Sequence, residues 1–471
     1  MNGRFWARHA WTGTLERDVP NDVPNDVPND VPSDVLSDVL IEVSDGRISE
    51  IRASAAPGDA VILDGLVLPG LANAHSHAFH RALRGATQSG GGTFWTWREI
   101  MYRVAAALTP ESYLRLARAV YAEMALAGIT CVGEFHYLHH APGGAAYDDP
   151  NAMGEALIEA AAQAGIRITL LDACYLSSGF GLPPDETQLR FSDGSADAWA
   201  ERVSALKDRD HARIGAAVHS VRAVPAAGLG VVARWAGERQ APIHAHVSEQ
   251  PAENEGCLAA YGVTPTRLLA DHGVLGPRAT AVHATHLTTE DVALLGGSAT
   301  TVCMCPTTER DLADGIGPAR EVQEAGSPLS LGSDSQAVID LFEEARAMEL
   351  DERLRTRRRG HWTAAALLRA ATTDGHASLG WPEAGRLEVG ALADLVTVSL
   401  DSVRTAGPSQ ALSHGLSHGL SHGLETAVFA ATAADVTDVV AGGRVIVRHG
   451  VHQLVPDVPR ALREAIAGLG A

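Results

Sequence analysis

Short apolar runs alternate with Ala- and Leu-rich stretches of helical character through the middle of the chain. Val67–Ala74, Ile129–Phe135, Arg167–Leu171, Arg213–Val218, Ala241–His246, Thr280–His283, Thr300–Cys303 and Pro328–Leu331 are each too short for a stable helix and lack polar alternation, so they read as strands buried on both faces. Eight such runs separated by helices predict a parallel (β/α)8 TIM-like barrel over residues 67–384, of α/β class.

The flanks carry a different pattern. Val39–Val43 and Arg47–Ile51 surround Ser44-Asp45-Gly46, whose Asp-Gly tolerates the positive φ angles of a hairpin turn. Beyond the barrel, Arg386–Val389, Asp394–Val398, Ala427–Ala431, Val436–Val440 and Arg444–Val447 are further strand candidates, the last two around Gly442-Gly443. Residues 1–66 and 385–471 are thus expected to form one small β-sandwich domain from both chain ends, interrupted by the barrel. A length of 471 residues has room for both.

Two low-complexity stretches fall inside that small domain. Asp-Val-Pro-Asn repeats every four residues from Asp18 and decays to Ser-Asp-Val-Leu by Leu40; recurrent Pro removes ladder donors and predicts an exposed, extended loop over about 18–40. Leu-Ser-His-Gly repeats over about 412–424. A Gly in every repeat weakens a helix, so His414, His418 and His422 read as a solvated loop in preference to a metal-binding face.

Charge and cysteine content narrow the partners. Lys and Arg number 37 against 57 Asp and Glu, a net charge of −20, which argues against nucleic acid and anionic membrane surfaces. Five cysteines, an odd number, suggest reduced thiols and a cytoplasmic location, with Cys303 and Cys305 as small core residues. No signal peptide or membrane-length apolar run is evident.

The chemistry lies just past the apolar runs. His75 and His77 are two apart, so on a strand end both imidazoles point to the same side while Ser76 faces away. His246 closes the fifth run, and Asp334, in Gly332-Ser333-Asp334-Ser335, follows the eighth. Three imidazoles and a carboxylate at the same end of a barrel suit one divalent metal, Zn²⁺ expected with Fe²⁺ the alternative.

The order of these residues resembles the mononuclear, deaminase-like branch of the amidohydrolase superfamily. The stretches Leu71-Ala72-Asn73-Ala74-His75-Ser76-His77-Ala78-Phe79, Gly133-Glu134-Phe135-His136-Tyr137, Cys305-Pro306-Thr307-Thr308-Glu309 and Gly332-Ser333-Asp334-Ser335 are similar, within that branch, to the formimidoylglutamate deiminase family. That family converts N-formimino-L-glutamate and water into N-formyl-L-glutamate and ammonia in histidine degradation. The resemblance implies His75, His77, His246 and Asp334 as metal ligands, and Glu249, His283 and Asp334 as catalytic residues. His283 would hydrogen-bond the attacking water without ligating the metal.

It also implies Arg98, Tyr137, His219 and Arg222, with His80, as the site for a small molecule bearing two carboxylates, and a homodimer. Arginine suits the task because its planar fork grips a carboxylate bidentately. The chain departs from the family at His80, where Gln is usual, which adds a titratable group, and at Arg310-Asp311 after the Cys-Pro-Thr-Thr-Glu stretch. Two rival readings are a deaminase of a nucleobase or nucleoside, which predicts aromatic stacking walls, and a non-catalytic metal-binding protein, which predicts loss of Glu249, His283 or Asp334. All three residues are present.

Overall fold

The computed structural model describes residues 1–13, 35–88, 94–407 and 422–469. His414 and His418 of the His-rich repeat and the prolines of the Asp-Val-Pro-Asn repeat lie outside these residues; the end of the His-rich repeat, His422–Leu424, expected as loop, opens the helix His422–Phe429.

Among the described residues four strands precede the barrel: β1 (Gly3–Trp11), β2 (Val35–Ser44), β3 (Arg47–Arg52) and β4 (Val61–Pro69). The barrel strands are β5 (Leu71–Ser76), β6 (Ile129–His136), β7 (Arg167–Cys174), β8 (Ala212–Val218), β9 (Ile243–Val247), β10 (Ala279–His283), β11 (Thr301–Met304) and β12 (Leu329–Leu331). They pair in chain order, all in parallel. A bridge between Ser76 and Asp334 and the hydrogen bond from Asp334 N–H to His75 O, at 3.0 Å, bring the first strand against the end of the last. All eight runs anticipated from the sequence overlap these strands.

The chain then adds β13 (Leu395–Val398), β14 (Val436–Ala441), β15 (Arg444–Arg448) and β16 (Val451–His452). With β1–β4 they make a second sheet in the order β16-β15-β14-β13-β4-β1-β2-β3, antiparallel except where β1 meets β4. Phe5, Val39, Ile41, Ile48 and Leu63 from one end of the chain share an apolar cluster with Leu387, Leu395 and Val440 from the other. This mixed sheet from both termini is the small sandwich domain.

Further expectations need correction. The run Val67–Ala74 is two strands: Val67–Pro69 completes β4 in the small sheet and the first barrel strand starts at Leu71. The break falls at Gly70, where a Cβ would sit 2.3 Å from Thr130 Oγ1 and 2.7 Å from Asp394 Cβ. Val35–Leu40, expected as loop, is the start of β2, with Val35 opposite Trp11 and Leu40 opposite Trp6; the stretch itself contains no Pro, so the ladder donors are intact there.

Ala427–Ala431 is no strand either, because helix His422–Phe429 covers its start. The buried positions Leu424, Ala427, Val428 and Ala431 follow the i, i+3, i+4, i+7 helical spacing. Arg386–Val389 is irregular chain.

The two bodies meet below the barrel through a buried ion pair. Arg167, on the first residue of β7, pairs with Asp394, which also accepts from Gly442 N–H at 2.8 Å. Removing one partner of such a buried pair strands a charge, so this contact holds the small domain in register with the barrel floor. Beside it, half-buried Arg213 pairs with Glu383 at 2.7 Å and stacks 4.2 Å from the Trp381 ring centroid. Among the described residues no helix is long and apolar enough to cross a membrane, and all five cysteines are free and buried.

Candidate active site

The C-terminal ends of β5, β9, β10 and the turn after β12 converge on one cavity, as barrel topology requires when side chains project from strand ends. Five non-glycine residues at these turns adopt left-handed backbone conformations: Ser248 (φ 51°), His283 (φ 68°), Ala284 (φ 50°), Asp334 (φ 39°) and Gln336 (φ 59°). Each costs about 1–3 kcal/mol and persists because the surrounding barrel overdetermines it, which aims Glu249, His283 and Asp334 inward.

His75, His77, His246 and Asp334 are all buried and offer ligand atoms within 4.8 Å of one another. Asp334 Oδ1 lies 3.3 Å from His75 Nε2 and 3.4 Å from His77 Nε2, and His246 Nε2 is 3.1 Å from His75 Nε2. The other ring nitrogens settle the tautomers. His77 Nδ1 meets Phe135 O at 2.9 Å and His246 Nδ1 meets His219 O at 2.8 Å; a carbonyl only accepts, so each Nδ1 carries the proton. Two bare Nε2 lone pairs and a carboxylate then converge in a buried space. Burial first, and then the crowding of neighbouring imidazoles, disfavours a charged ring and holds both far below the usual imidazole pKa. This donor set fits a divalent cation bound by His75, His77, His246 and Asp334.

A buried polar net backs these ligands. Ser76 Oγ donates to Glu134 at 2.8 Å, Ala78 N–H donates to the same carboxylate at 2.7 Å, and Gln336 Nε2 donates to Ser76 at 2.8 Å. Ser333 links Gln336 to Asn73. The net joins the His75-Ser76-His77 segment to the Asp334 turn. Gly332 sits where a Cβ would lie 2.7 Å from His75 Cβ and 2.9 Å from His75 O.

Glu249 and His283 stand beside the cluster. His283 Nε2 is 3.7 Å from Asp334 Oδ2 and 3.9 Å from Glu249 Oε1, while its Nδ1 meets Glu309 Oε1 at 3.4 Å. Burial works against a charged ring, but Glu249 first, then Glu309 and Asp334, raise its pKa well above the ordinary value. Burial raises the Glu249 carboxyl. Asp334 moves the other way: burial opposes ionisation, yet the hydrogen bond with His75 and the surrounding imidazoles hold it far below the carboxylate range. Two carboxyl groups displaced in opposite directions suit one to carry a proton and the other to stay anionic.

The cavity has an empty volume of about 610 Å³, and Arg98, Tyr137, His219, Arg222 and His80 all line it together with Glu249, His283 and Asp334. Arg98, on helix Phe94–Ala107, donates from Nε to Tyr102 Oη at 2.5 Å. Arg222 Nε donates to buried Glu253 at 3.2 Å. Tyr137 Oη lies 3.0 Å from His80 Nε2. Burial drives the His80 pKa down to about 3, so the ring is neutral throughout the usual working range and does not act as the titratable group its identity suggested.

Several lining or supporting residues carried no role from the sequence. Tyr102, Tyr175 and Phe191 build an aromatic wall, and buried Gln188 donates to both tyrosine hydroxyls at 2.9 Å. Glu309 holds His283, and Glu253 holds Arg222. Tyr102 lies four residues after Arg98 on the same helix, so helical spacing was its available signal; Glu253 and Glu309 act on residues of other segments, and no local spacing marks them. Arg310 points away from the cavity, with ion pairing to Glu343 at 2.9 Å, and Asp311 accepts from Gln88.

A parallel barrel with a His-x-His pair, a third His and an Asp at its strand ends defines a metal-dependent hydrolase. Residues 66–446 match the amidohydrolase family, and the chain belongs to it. The formimidoylglutamate deiminase of Pseudomonas aeruginosa is 37% identical over 423 residues, covering 87% of this chain and 90% of that protein. The 8-oxoguanine deaminase of the same species is 32% identical over 392 residues, covering 79% and 84%. A crystal structure of an amidohydrolase from Brucella melitensis superposes with a TM-score of 0.86 at 32% identity, covering all of both chains. The protein is thus an enzyme that hydrolyses C–N bonds other than peptide bonds, a hydrolytic deaminase of the amidohydrolase superfamily.

Proposed function

We propose that this enzyme releases ammonia from N-formimino-L-glutamate, leaving N-formyl-L-glutamate, a step of histidine degradation, with Zn²⁺ as its metal and Fe²⁺ the alternative. The observation that carries the reading is that Arg98 and Arg222 open onto the same cavity as the imidazole–carboxylate cluster. A substrate with a cationic amidine head and two carboxylates calls for both: a carboxylate near the reacting carbon, and guanidinium groups for the tail. When bound, the metal supplies Lewis acidity that brings the pKa of water toward ~7.

The side chains then divide the work. Glu249 pairs with the amidinium N–H groups and delivers the proton on which ammonia leaves. Asp334 accepts a proton from the attacking water, and His283, held by Glu309, donates a hydrogen bond to the tetrahedral centre as charge develops on oxygen. Arg98, Arg222, His219 and Tyr137 receive the carboxylates, and neutral His80 positions the Tyr137 hydroxyl.

One observation favours a second reading. Trp97, Tyr102, Tyr137, Tyr175 and Phe191 line the cavity and offer the stacking surfaces a nucleobase would need. Ammonia release and metal content of the purified protein, measured with N-formimino-L-glutamate, N-formimino-L-aspartate, 8-oxoguanine and adenosine, separate the two. Activity confined to a nucleobase or nucleoside would transfer the enzyme to that class. A metal-loaded protein silent on all four would revive the non-catalytic reading. The small-molecule substrate, the homodimer and the cytoplasmic location are part of the same proposal; sedimentation of the purified chain reads the second.

A further inference from the structure

Arg222 follows β8 and Glu249 follows β9, yet one carboxylate touches both turns. Glu253 is 1% exposed and lies in the first turn of helix Pro251–Tyr261. Its Oε2 accepts from Arg222 Nε at 3.2 Å, and its Oε1 accepts from Ser248 N–H at 3.2 Å. Ser248 is the left-handed residue directly before Glu249.

The geometry fixes which face of the guanidinium a ligand meets. With Nε tied to Glu253, and no other side-chain hydrogen bond from Arg222 among the described residues, the Nη1/Nη2 edge remains for a carboxylate in the cavity. An untethered arginine samples rotamers that move its head group by more than one methylene length. Discriminating two acids that differ by one methylene needs finer placement than that, since ~1 Å of misplacement costs about a hundredfold.

We propose that Glu253 is a positioning residue that sets the spacing between Glu249, at the amidine head, and Arg222, at a tail carboxylate, and so selects the length of the acidic substrate. This rests on the function proposed above. Glu253 touches no reacting atom. It acts by clamping the Arg222 side chain and the Ser248–Glu249 backbone to a single anchor, so the head-to-tail distance is held by the protein and not by the ligand.

The test compares kcat/KM for N-formimino-L-glutamate and N-formimino-L-aspartate in the wild type, E253Q, R222K and the double variant, with metal content and Tm beside each. The wild type should prefer the glutamate compound by about 10- to 200-fold. E253Q should lose about 10- to 100-fold on that substrate, mostly in KM, and less on the shorter one, so the ratio falls toward one. R222K keeps the charge but loses the side-on bond and should collapse the ratio too, with the double variant no worse than R222K alone. Equal losses in kcat on both substrates with the preference intact would make Glu253 merely structural and overturn the inference. Should E253Q not fold, R222K decides alone: an intact preference in it overturns the proposal. A wild type active only on a nucleobase overturns the functional reading itself, and the wild-type assay shows that before any variant is compared.

Discussion

Asp334→Asn separates the two roles assigned to that side chain. The amide has the same shape, so the contacts of 3.3 and 3.4 Å to His75 and His77 Nε2 are sterically preserved while the negative charge is removed. The turn is set by backbone bonds, from Asp334 N–H to His75 O and from His77 N–H to Asp334 O, which the substitution leaves in place. Loss of a positioned general base lowers kcat by about 10²–10⁴, equivalent to about 3–5 kcal/mol of barrier. KM should stay within about threefold, because no substrate-binding arginine has moved. The assay is ammonia release under saturating metal, with metal per chain measured on the same sample. A variant that retains one metal per chain and keeps kcat within tenfold of wild type would refute the proton-accepting role. Loss of metal together with activity would assign Asp334 chiefly as a ligand.

Three further outcomes are expected. Since burial holds His80 near a pKa of about 3, His80→Gln should leave the pH–rate profile between pH 5 and 9 unmoved and change only KM; a displaced limb would show that His80 titrates during turnover. Gly332→Ala places a methyl 2.7 Å from His75 Cβ and 3.0 Å from Cys305 Sγ, so it should destabilise by about 1–3 kcal/mol and deplete metal; full metal occupancy at wild-type Tm would contradict the close approach. Burial raises the Glu134 carboxyl to about 8, so the folded state binds the extra proton between the ordinary carboxyl pKa and that value. Its contribution to stability is therefore greatest at the acid end of that window and is lost as pH rises through about 8, by at most about 5 kcal/mol. Glu134→Gln should flatten that fall in urea midpoints taken from pH 5 to 8, and parallel wild-type and variant curves would count against it.

Much of the frame was legible because its signals are local. A strand buried on both faces must be apolar along its length, so all eight barrel runs stood out, and the residue after each run falls at the catalytic end of any parallel barrel. The same logic placed the hairpin at Asp45-Gly46, which occupies the turn between β2 and β3. It failed where a run was ambiguous: Val67–Ala74 stays apolar through a change of sheet, and the Ala- and Val-rich stretch from 427 was long enough for a strand but spaced as a helix.

The sequence by itself determined which imidazoles and which carboxylate are the candidate metal ligands and the end of the barrel at which they lie, since residue type and position after an apolar run are properties of single segments. Only the tertiary structure decided how the site is held. Closure of β5 against the Asp334 turn, the tautomers set by the Phe135 and His219 carbonyls, and the anchoring of Arg222 and Ser248 by Glu253 each join residues on different segments. Periodicity reports which face of one element is buried, but not which side chain of another element meets it there. That pairing depends on strand register and the strained turns at Ser248, His283 and Asp334, which only the folded barrel fixes.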